Sequence, residues 1–148
     1  MKRKCLISKS PDDNRDFDAE KVYKTSFFPE YLDLRIDLNE PRDQGLQGTC
    51  AAQTAATMKE FQEKKDIGFS NYFSPQFIYN VRENQQDEGM YPRNVMKILY
   101  RQGIVSEEKY PYEKIEKSFE IDDTILLEAK NHKIKGYAKI FTIDTLKK

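Results

Sequence analysis

The chain has 148 residues, enough for at most one domain with a modest core. Lys and Arg together number 25, as do Asp and Glu, so the zero net charge argues against a nucleic-acid-binding surface. No apolar stretch approaches the roughly 18 residues of a membrane span, and the basic start lacks the apolar run of a secretory signal. The two distant cysteines, Cys5 and Cys50, predict no disulfide framework. We therefore expect a cytoplasmic protein without metal, cofactor, nucleic acid or membrane partner.

The first 30 residues are polar and charged, and we interpret them as an extended or partly ordered leader. Residues 27–29, Phe-Phe-Pro, are predicted to dock on the domain that begins at residue 31. Apolar and polar residues then alternate between 31 and 44, which predicts a strand. The apolar positions of that strand are Leu32, Leu34, Ile36 and Leu38.

Three helices are predicted next. The first follows a candidate N-cap, Thr49, and ends at Gly68. Its small residues should be buried because they allow neighbouring elements to pack closely: Ala51, Ala52, Ala55 and Ala56. Ser74-Pro75 announces the second helix, and the third runs from Pro92 to a C-cap at Gly103. Beyond them, the weaker pattern predicts a short helix at 125–129, a strand at 135–142 and a helix from 143.

Cys50 lies in the first turn of a predicted helix, after a glycine-bearing loop. The N–H groups at a helix N-terminus favour negative charge, so a thiolate, the nucleophile that acyl transfer needs, is favoured there. The backbone N–H of Cys50 and the side-chain amide of Gln44 can both donate to one oxygen, as in an oxyanion hole. Gly48 removes a side chain where a substrate backbone would approach. A cysteine at a helix start is more often an inert apolar residue, so these features alone leave both interpretations open.

The segment around Cys50 resembles the active-site segment of papain-like cysteine peptidases. Further landmarks of that family follow in its order: Asp33-Leu34-Arg35, Arg42-Asp43-Gln44-Gly45, Phe73-Ser74-Pro75-Gln76, Gly89-Met90-Tyr91-Pro92, Gly103-Ile104 and Tyr110-Pro111-Tyr112. The resemblance implies an α+β fold, with a helical lobe around a central Cys-bearing helix and the beginning of a β-barrel lobe. It implies that Cys50 is the nucleophile and Gln44 the oxyanion-hole side chain, with Gly48 and Gly89 binding a peptide or protein substrate.

Three positions depart from the family pattern. Gln47 stands where the family usually has a disulfide-bonded cysteine, and Ala51 stands where it has tryptophan. The glycine pair that lines the substrate groove is reduced to Gly89 followed by Met90. These departures suggest a divergent branch of bacterial or viral type in a reducing compartment. No long inhibitory propeptide of the family type is recognisable before residue 31.

The catalytic histidine of the family should lie ~130–150 residues after the nucleophile, which is beyond Lys148. His132, the one histidine present, is too close and is expected at a surface or connecting position. Residues 31–148 are therefore interpreted as a partial peptidase domain that lacks its C-terminal half and is inactive alone. Two alternatives stay open: a non-catalytic interaction module that retains the helical lobe, and half of a split enzyme completed by another chain.

Overall fold

Helices build most of the regular structure in this chain. The computed structural model describes residues 6–22 and 30–147. The helices are α1 (Ala19–Val22), α2 (Cys50–Ile67), α3 (Pro75–Asn80), α4 (Pro92–Arg101), α5 (Asp123–Ala129) and α6 (Ile143–Lys147). Short 3-10 turns occupy Arg35–Asp37, Ser118–Glu120 and Lys130–His132. The helices α2, α3 and α4 pack against one another and surround the core.

The central helix α2 forms where the sequence predicts it. Its small residues face the core, and none is more than 6% exposed: Ala51, Ala52, Ala55 and Ala56. Without bulky side chains on this face, α3 and α4 can approach the backbone of α2 closely. The helix ends at Gly68, whose φ of +72° is a left-handed conformation that glycine adopts without steric cost. The predicted helix and its buried alanine face are confirmed.

The starts of α3 and α4 are also as predicted. The Ser74 hydroxyl accepts a hydrogen bond of 3.0 Å from the Phe77 N–H, and a proline occupies the first turn of each helix. The predicted C-cap of α4 is off by one residue. Gln102 is the cap, and Gly103 follows it with a φ of +86°.

A return segment brings the chain after α4 back to the centre of the molecule. An antiparallel bridge joins Phe73 to Ser106, and the Ser74 N–H donates to the Val105 carbonyl at 2.8 Å. Tyr110 is fully buried, with its ring edge-to-face on Phe77 at a centroid distance of 5.8 Å. The core contains mainly these buried apolar residues: Phe73, Phe77, Ile78, Val95, Leu99, Ile104, Val105 and Tyr110.

Both predicted strands are wrong. Residues 31–44 contain only the 3-10 turn Arg35–Asp37, and residues 135–142 form a single parallel bridge, between Lys139 and Asp18. Alternation of apolar and polar residues makes a strand only when a second strand offers hydrogen-bonding partners. No ladder forms among the described residues, and the apolar positions of the first segment are exposed: Leu32, Leu34, Ile36 and Leu38.

The helices predicted at 125–129 and from 143 are confirmed as α5 and α6. The predicted docking of residues 27–29 and the environment of Cys5 lie outside the described residues. Within the described ranges, no helix has the length and apolarity needed to cross a membrane.

Candidate active site

Cys50 is the first residue of α2, an 18-residue helix, and its free thiol is partly exposed. The loop before it turns at Gly45, whose φ is +59° and whose N–H donates to the Asp43 carboxylate at 2.9 Å. The Thr49 carbonyl accepts the first helical hydrogen bond, of 2.8 Å, from the Gln53 N–H. The thiol therefore lies beside the positive end of the helix dipole, as the sequence predicts.

Gln44 folds its side chain across the same loop. Its amide nitrogen donates to the Gln47 carbonyl at 3.0 Å. Thr49 occupies the N-cap position, as predicted, but makes no capping bond with its side chain. Its hydroxyl instead lies 2.7 Å from the hydroxyl of Tyr112, a residue to which the sequence analysis assigned no role in the site.

Gly48 permits close approach of another backbone segment, but in this structure that segment is the chain's own and not a substrate. A Cβ atom at this position would lie 2.1 Å from the Glu88 carbonyl oxygen. That carbonyl also accepts a hydrogen bond of 2.8 Å from the Tyr79 hydroxyl. Gly48 is therefore required by the chain's own loop before Gly89, a contact that the sequence analysis did not anticipate.

The leader lies against Gly89 and Met90, the segment that the sequence predicts to bind substrate. Leu6 to Ser8 lie beside Met90: the Met90 N–H donates to the Leu6 carbonyl, and the Ser8 N–H donates to the Met90 carbonyl, both at 3.2 Å. The two segments run parallel, with Ile7 opposite Met90. A Cβ at Gly89 would lie 2.0 Å from the Leu6 carbonyl oxygen, so this glycine permits the pairing.

Arg93, in the first turn of α4, holds the next part of the leader. Its backbone N–H donates to the Ser10 hydroxyl at 3.1 Å, its Nε donates to the Asp16 carboxylate at 2.8 Å, and another nitrogen donates to the Pro11 carbonyl. Hydrogen bonding to Asp16 raises the pKa of Arg93, so the guanidinium stays charged. Both side chains of this ion pair are largely buried.

Substitution of Gly89 by alanine should release the leader from its pairing with Met90. The added Cβ cannot coexist with the Leu6 carbonyl, so the two backbone bonds at Met90 are lost, at a cost of about 1 kcal/mol each. Hydrogen exchange of the Ser8 amide should accelerate by about tenfold or more. The matched control is Gly136→Ala, where a Cβ meets no atom within 4 Å and exchange at Ser8 should not change. Unchanged exchange in Gly89→Ala would contradict the pairing.

His132 lies near the other end of α2 from Cys50. Its Nδ1 is 3.5 Å from the Glu63 carboxylate, and its ring packs edge-on against Phe73 at a centroid distance of 4.8 Å. Glu63 is more than three helical turns from Cys50, roughly 20 Å at 1.5 Å per residue. His132 therefore cannot act on the thiol. It lies, partly exposed, in the short 3-10 turn that follows α5, which agrees with the predicted connecting position.

Among the described residues, no group of three or more His, Cys, Asp and Glu side chains is placed to hold a metal ion.

Comparison with known proteins gives the family. The chain matches the papain family of cysteine proteases over residues 28–147. It belongs to that family. Cysteine proteinase 3 of Entamoeba histolytica is 30% identical over 89 residues, which are 59% of this chain and 29% of that protein.

Two solved structures show the papain-like fold. Xylellain, a cysteine protease from Xylella fastidiosa, gives a TM-score of 0.78 at 24% identity over 99% of this chain and 63% of xylellain. A chain from the study of the mite allergens Blo t 1 and Der p 1 gives 0.67 at 23% identity, over 95% of this chain and 45% of that one. This chain thus spans less than two thirds of each relative. The helices α2, α3 and α4 fit the helical lobe of the fold.

Two features of the site were missed by sequence reasoning. The motif Tyr110-Pro111-Tyr112 was recognised only as a landmark, although its last hydroxyl reaches the loop before Cys50. The leader was recognised by its charge, but no local pattern indicates that it pairs with Met90.

Proposed function

We propose that this chain is the nucleophile-bearing part of a cysteine peptidase. The observation that carries the proposal is the free, partly exposed thiol of Cys50 at the first residue of α2, in a chain of the papain family. Helix N–H groups stabilise the thiolate, and a thiolate attacks a carbonyl carbon far more readily than a thiol does.

The chemistry follows from the residues around Cys50. The thiolate attacks the peptide carbonyl carbon, and the carbonyl electron pair moves to the oxygen. The Cys50 N–H and the Gln44 side-chain amide donate to this oxyanion once the amide turns away from the Gln47 carbonyl. Collapse of the intermediate forms a thioester and expels the amine, which needs a proton from a general acid. His132 is too distant to supply it, so the acid belongs to a part of the peptidase that this chain does not span.

The leader must leave the groove before a substrate binds there. Gly89 and Met90 are proposed to pair with the substrate backbone, and in this structure the Met90 N–H and carbonyl are hydrogen-bonded to the leader. Substrate and leader would compete for the same two groups.

A C-terminal lobe, on the same chain or on a second one, is proposed to complete the domain. Large apolar side chains are exposed in two stretches that the sequence analysis assigned to strands or to the last helix: Leu32, Leu34, Ile36 and Leu38, and Ile140, Phe141 and Ile143. Burial of such residues against another lobe would stabilise the assembly. The same exposure supports the second candidate function, a non-catalytic module that binds a protein through these residues. We also propose a reducing, cytoplasmic setting, since Gln47 replaces the family's bridging cysteine.

The alkylation rate of Cys50 tests the proposal without requiring a histidine. In a Cys5→Ser chain at pH 7, iodoacetamide should modify Cys50 faster than free cysteine, because the N–H groups at the start of α2 favour negative charge on the attacking sulfur. The matched control is a Cys50→Ser chain, in which Cys5 should react no faster than free cysteine. Reaction of Cys50 at or below the rate of free cysteine would favour the non-catalytic module.

A further inference from the structure

Tyr112 connects the two ends of the loop that carries the proposed oxyanion donors. Its hydroxyl donates to the Gln44 carbonyl at 2.8 Å and lies 2.7 Å from the Thr49 hydroxyl. A phenol has one hydrogen to donate. Since that hydrogen goes to Gln44, the Thr49 hydroxyl is the donor in the second bond. The chain of bonds therefore runs from Thr49 through Tyr112 to Gln44.

These contacts are suited to fixing the donors in place. Thr49 is fully buried and immediately precedes Cys50, whose N–H is one proposed donor. Gln44 carries the other donor on its side chain. Tyr112 binds the Gln44 backbone carbonyl and not the amide, so this tie persists when the amide turns from the Gln47 carbonyl towards a substrate oxygen.

Tyr112 is partly buried and lies close in sequence to a residue of the core. Two residues earlier, Tyr110 is fully buried, accepts a hydrogen bond of 2.7 Å from Asn80 and donates one of 2.7 Å to Glu116. The loop from Gln44 to Thr49 turns through the left-handed Gly45, and the Tyr112 hydroxyl is bonded at both ends of that loop. The hydroxyl thus ties the loop to a segment that Tyr110 anchors in the core.

We propose that Tyr112 is a positioning residue for the oxyanion hole: its hydroxyl holds the Gln44 and Cys50 donors at the separation that a carbonyl oxygen requires. The inference rests on the proposed function and adds to it a role that acts through Gln44 and Thr49. Tyr112 need not touch the substrate.

Two reactions of the same thiol separate this role from a structural one. Iodoacetamide alkylates Cys50 by displacement of iodide at a saturated carbon, which creates no oxyanion. p-Nitrophenyl acetate acylates Cys50 through a tetrahedral oxyanion and releases p-nitrophenolate, which leaves without a proton from a general acid. Only the second reaction depends on the oxyanion donors. Both are measured on the 148-residue chain carrying Cys5→Ser.

Tyr112→Phe should slow acylation of Cys50 by about tenfold or more, since loss of one oxyanion donor costs roughly 10²–10³ in rate and misplacement costs part of that. Alkylation should change by less than about twofold. The matched control is Tyr72→Phe, which removes a hydroxyl 3.4 Å from the Glu40 carbonyl and should alter neither rate. A second pair avoids dependence on one variant: Thr49→Val should slow acylation selectively, and Thr49→Ser, which keeps the hydroxyl, should not.

The remaining outcomes are decisive against the inference. An unchanged rate of acylation in Tyr112→Phe and Thr49→Val overturns it. An equal fall in the rates of acylation and alkylation also overturns it, because that result would indicate a merely structural role. In the parent chain, the rate of acylation of Cys50 is divided by its rate of alkylation. If this ratio is no higher than the same ratio for free cysteine, the proposed function itself fails. That result is read from the parent chain alone and is therefore distinguishable from failure of Tyr112.

Discussion

Replacement of Cys50 by alanine should abolish peptide hydrolysis in a domain completed by the proposed C-terminal lobe. Loss of the nucleophile in a peptidase costs roughly 10⁶ in kcat, because the oxyanion hole and substrate binding retain only a small residual rate. A fluorogenic peptide assay measures this, with Cys5→Ser as the control that should retain full turnover. The 148-residue chain alone should show no turnover. Its His132 lies beside Glu63, near the end of α2 opposite to Cys50.

Two results would contradict this expectation. Turnover by the chain alone that disappears in Cys50→Ala would mean that a second copy donates a histidine, which His132→Ala would test. Turnover that survives Cys50→Ala in the completed domain would place the nucleophile elsewhere. Activity gained when a separate downstream fragment is mixed in would support the split-enzyme alternative.

Replacement of Glu60 by alanine should lower the free energy of unfolding by about 3–5 kcal/mol. Glu60 is only 3% exposed, and its carboxylate accepts hydrogen bonds of 2.8 Å from both the Arg42 guanidinium and the Phe73 N–H. Alanine leaves a buried guanidinium with less compensation and a buried N–H without its acceptor. Glu107, 3.2 Å from the same Arg42 nitrogen, replaces only part of the lost interaction.

Urea unfolding measures this change, with Glu108→Ala as the control. Glu108 is exposed, and its loss should alter the free energy of unfolding by less than about 0.5 kcal/mol. Glu60→Gln keeps an acceptor for the Phe73 N–H but removes the charge, so its effect should be intermediate. A loss below about 1 kcal/mol in Glu60→Ala would show that the buried ion pair is not a major stabilising contact.

The elements that could be predicted from the sequence are those specified by local chemistry. The alanines of α2, Ser74 with its following proline, and Gly68 act within a few residues of their own position, and each does what its type predicts. The Cys50 motif could likewise be placed at a helix start, because the loop and the helix that define it are contiguous.

The conformation of residues 31–44, where a strand was expected and none forms, could not be predicted for the opposite reason. Their alternation describes which residues would share a face, but a strand also needs a partner, and no residue in the stretch reveals whether one exists. The same holds for 135–142, where a single bridge forms at Lys139.

Contacts between distant parts of the chain account for what was missed at the site. Tyr112 reaches Thr49 and Gln44 across more than 60 residues, and Ser8 pairs with Met90 across more than 80. Neither contact has a local signature. The glycines were the nearest signals: Gly48 and Gly89 indicate close backbone approach, although only the structure identifies Glu88 and Leu6 as the approaching groups.

The central claim is that Cys50 forms the covalent intermediate. Its most direct test is to quench the completed domain during turnover of a peptide ester and to map the acyl group by mass spectrometry of the digested protein. A thioester on the peptide that contains Cys50, absent from Cys50→Ala, is the predicted result. Continued turnover with no acyl group on Cys50, or with the acyl group on another residue, would contradict it.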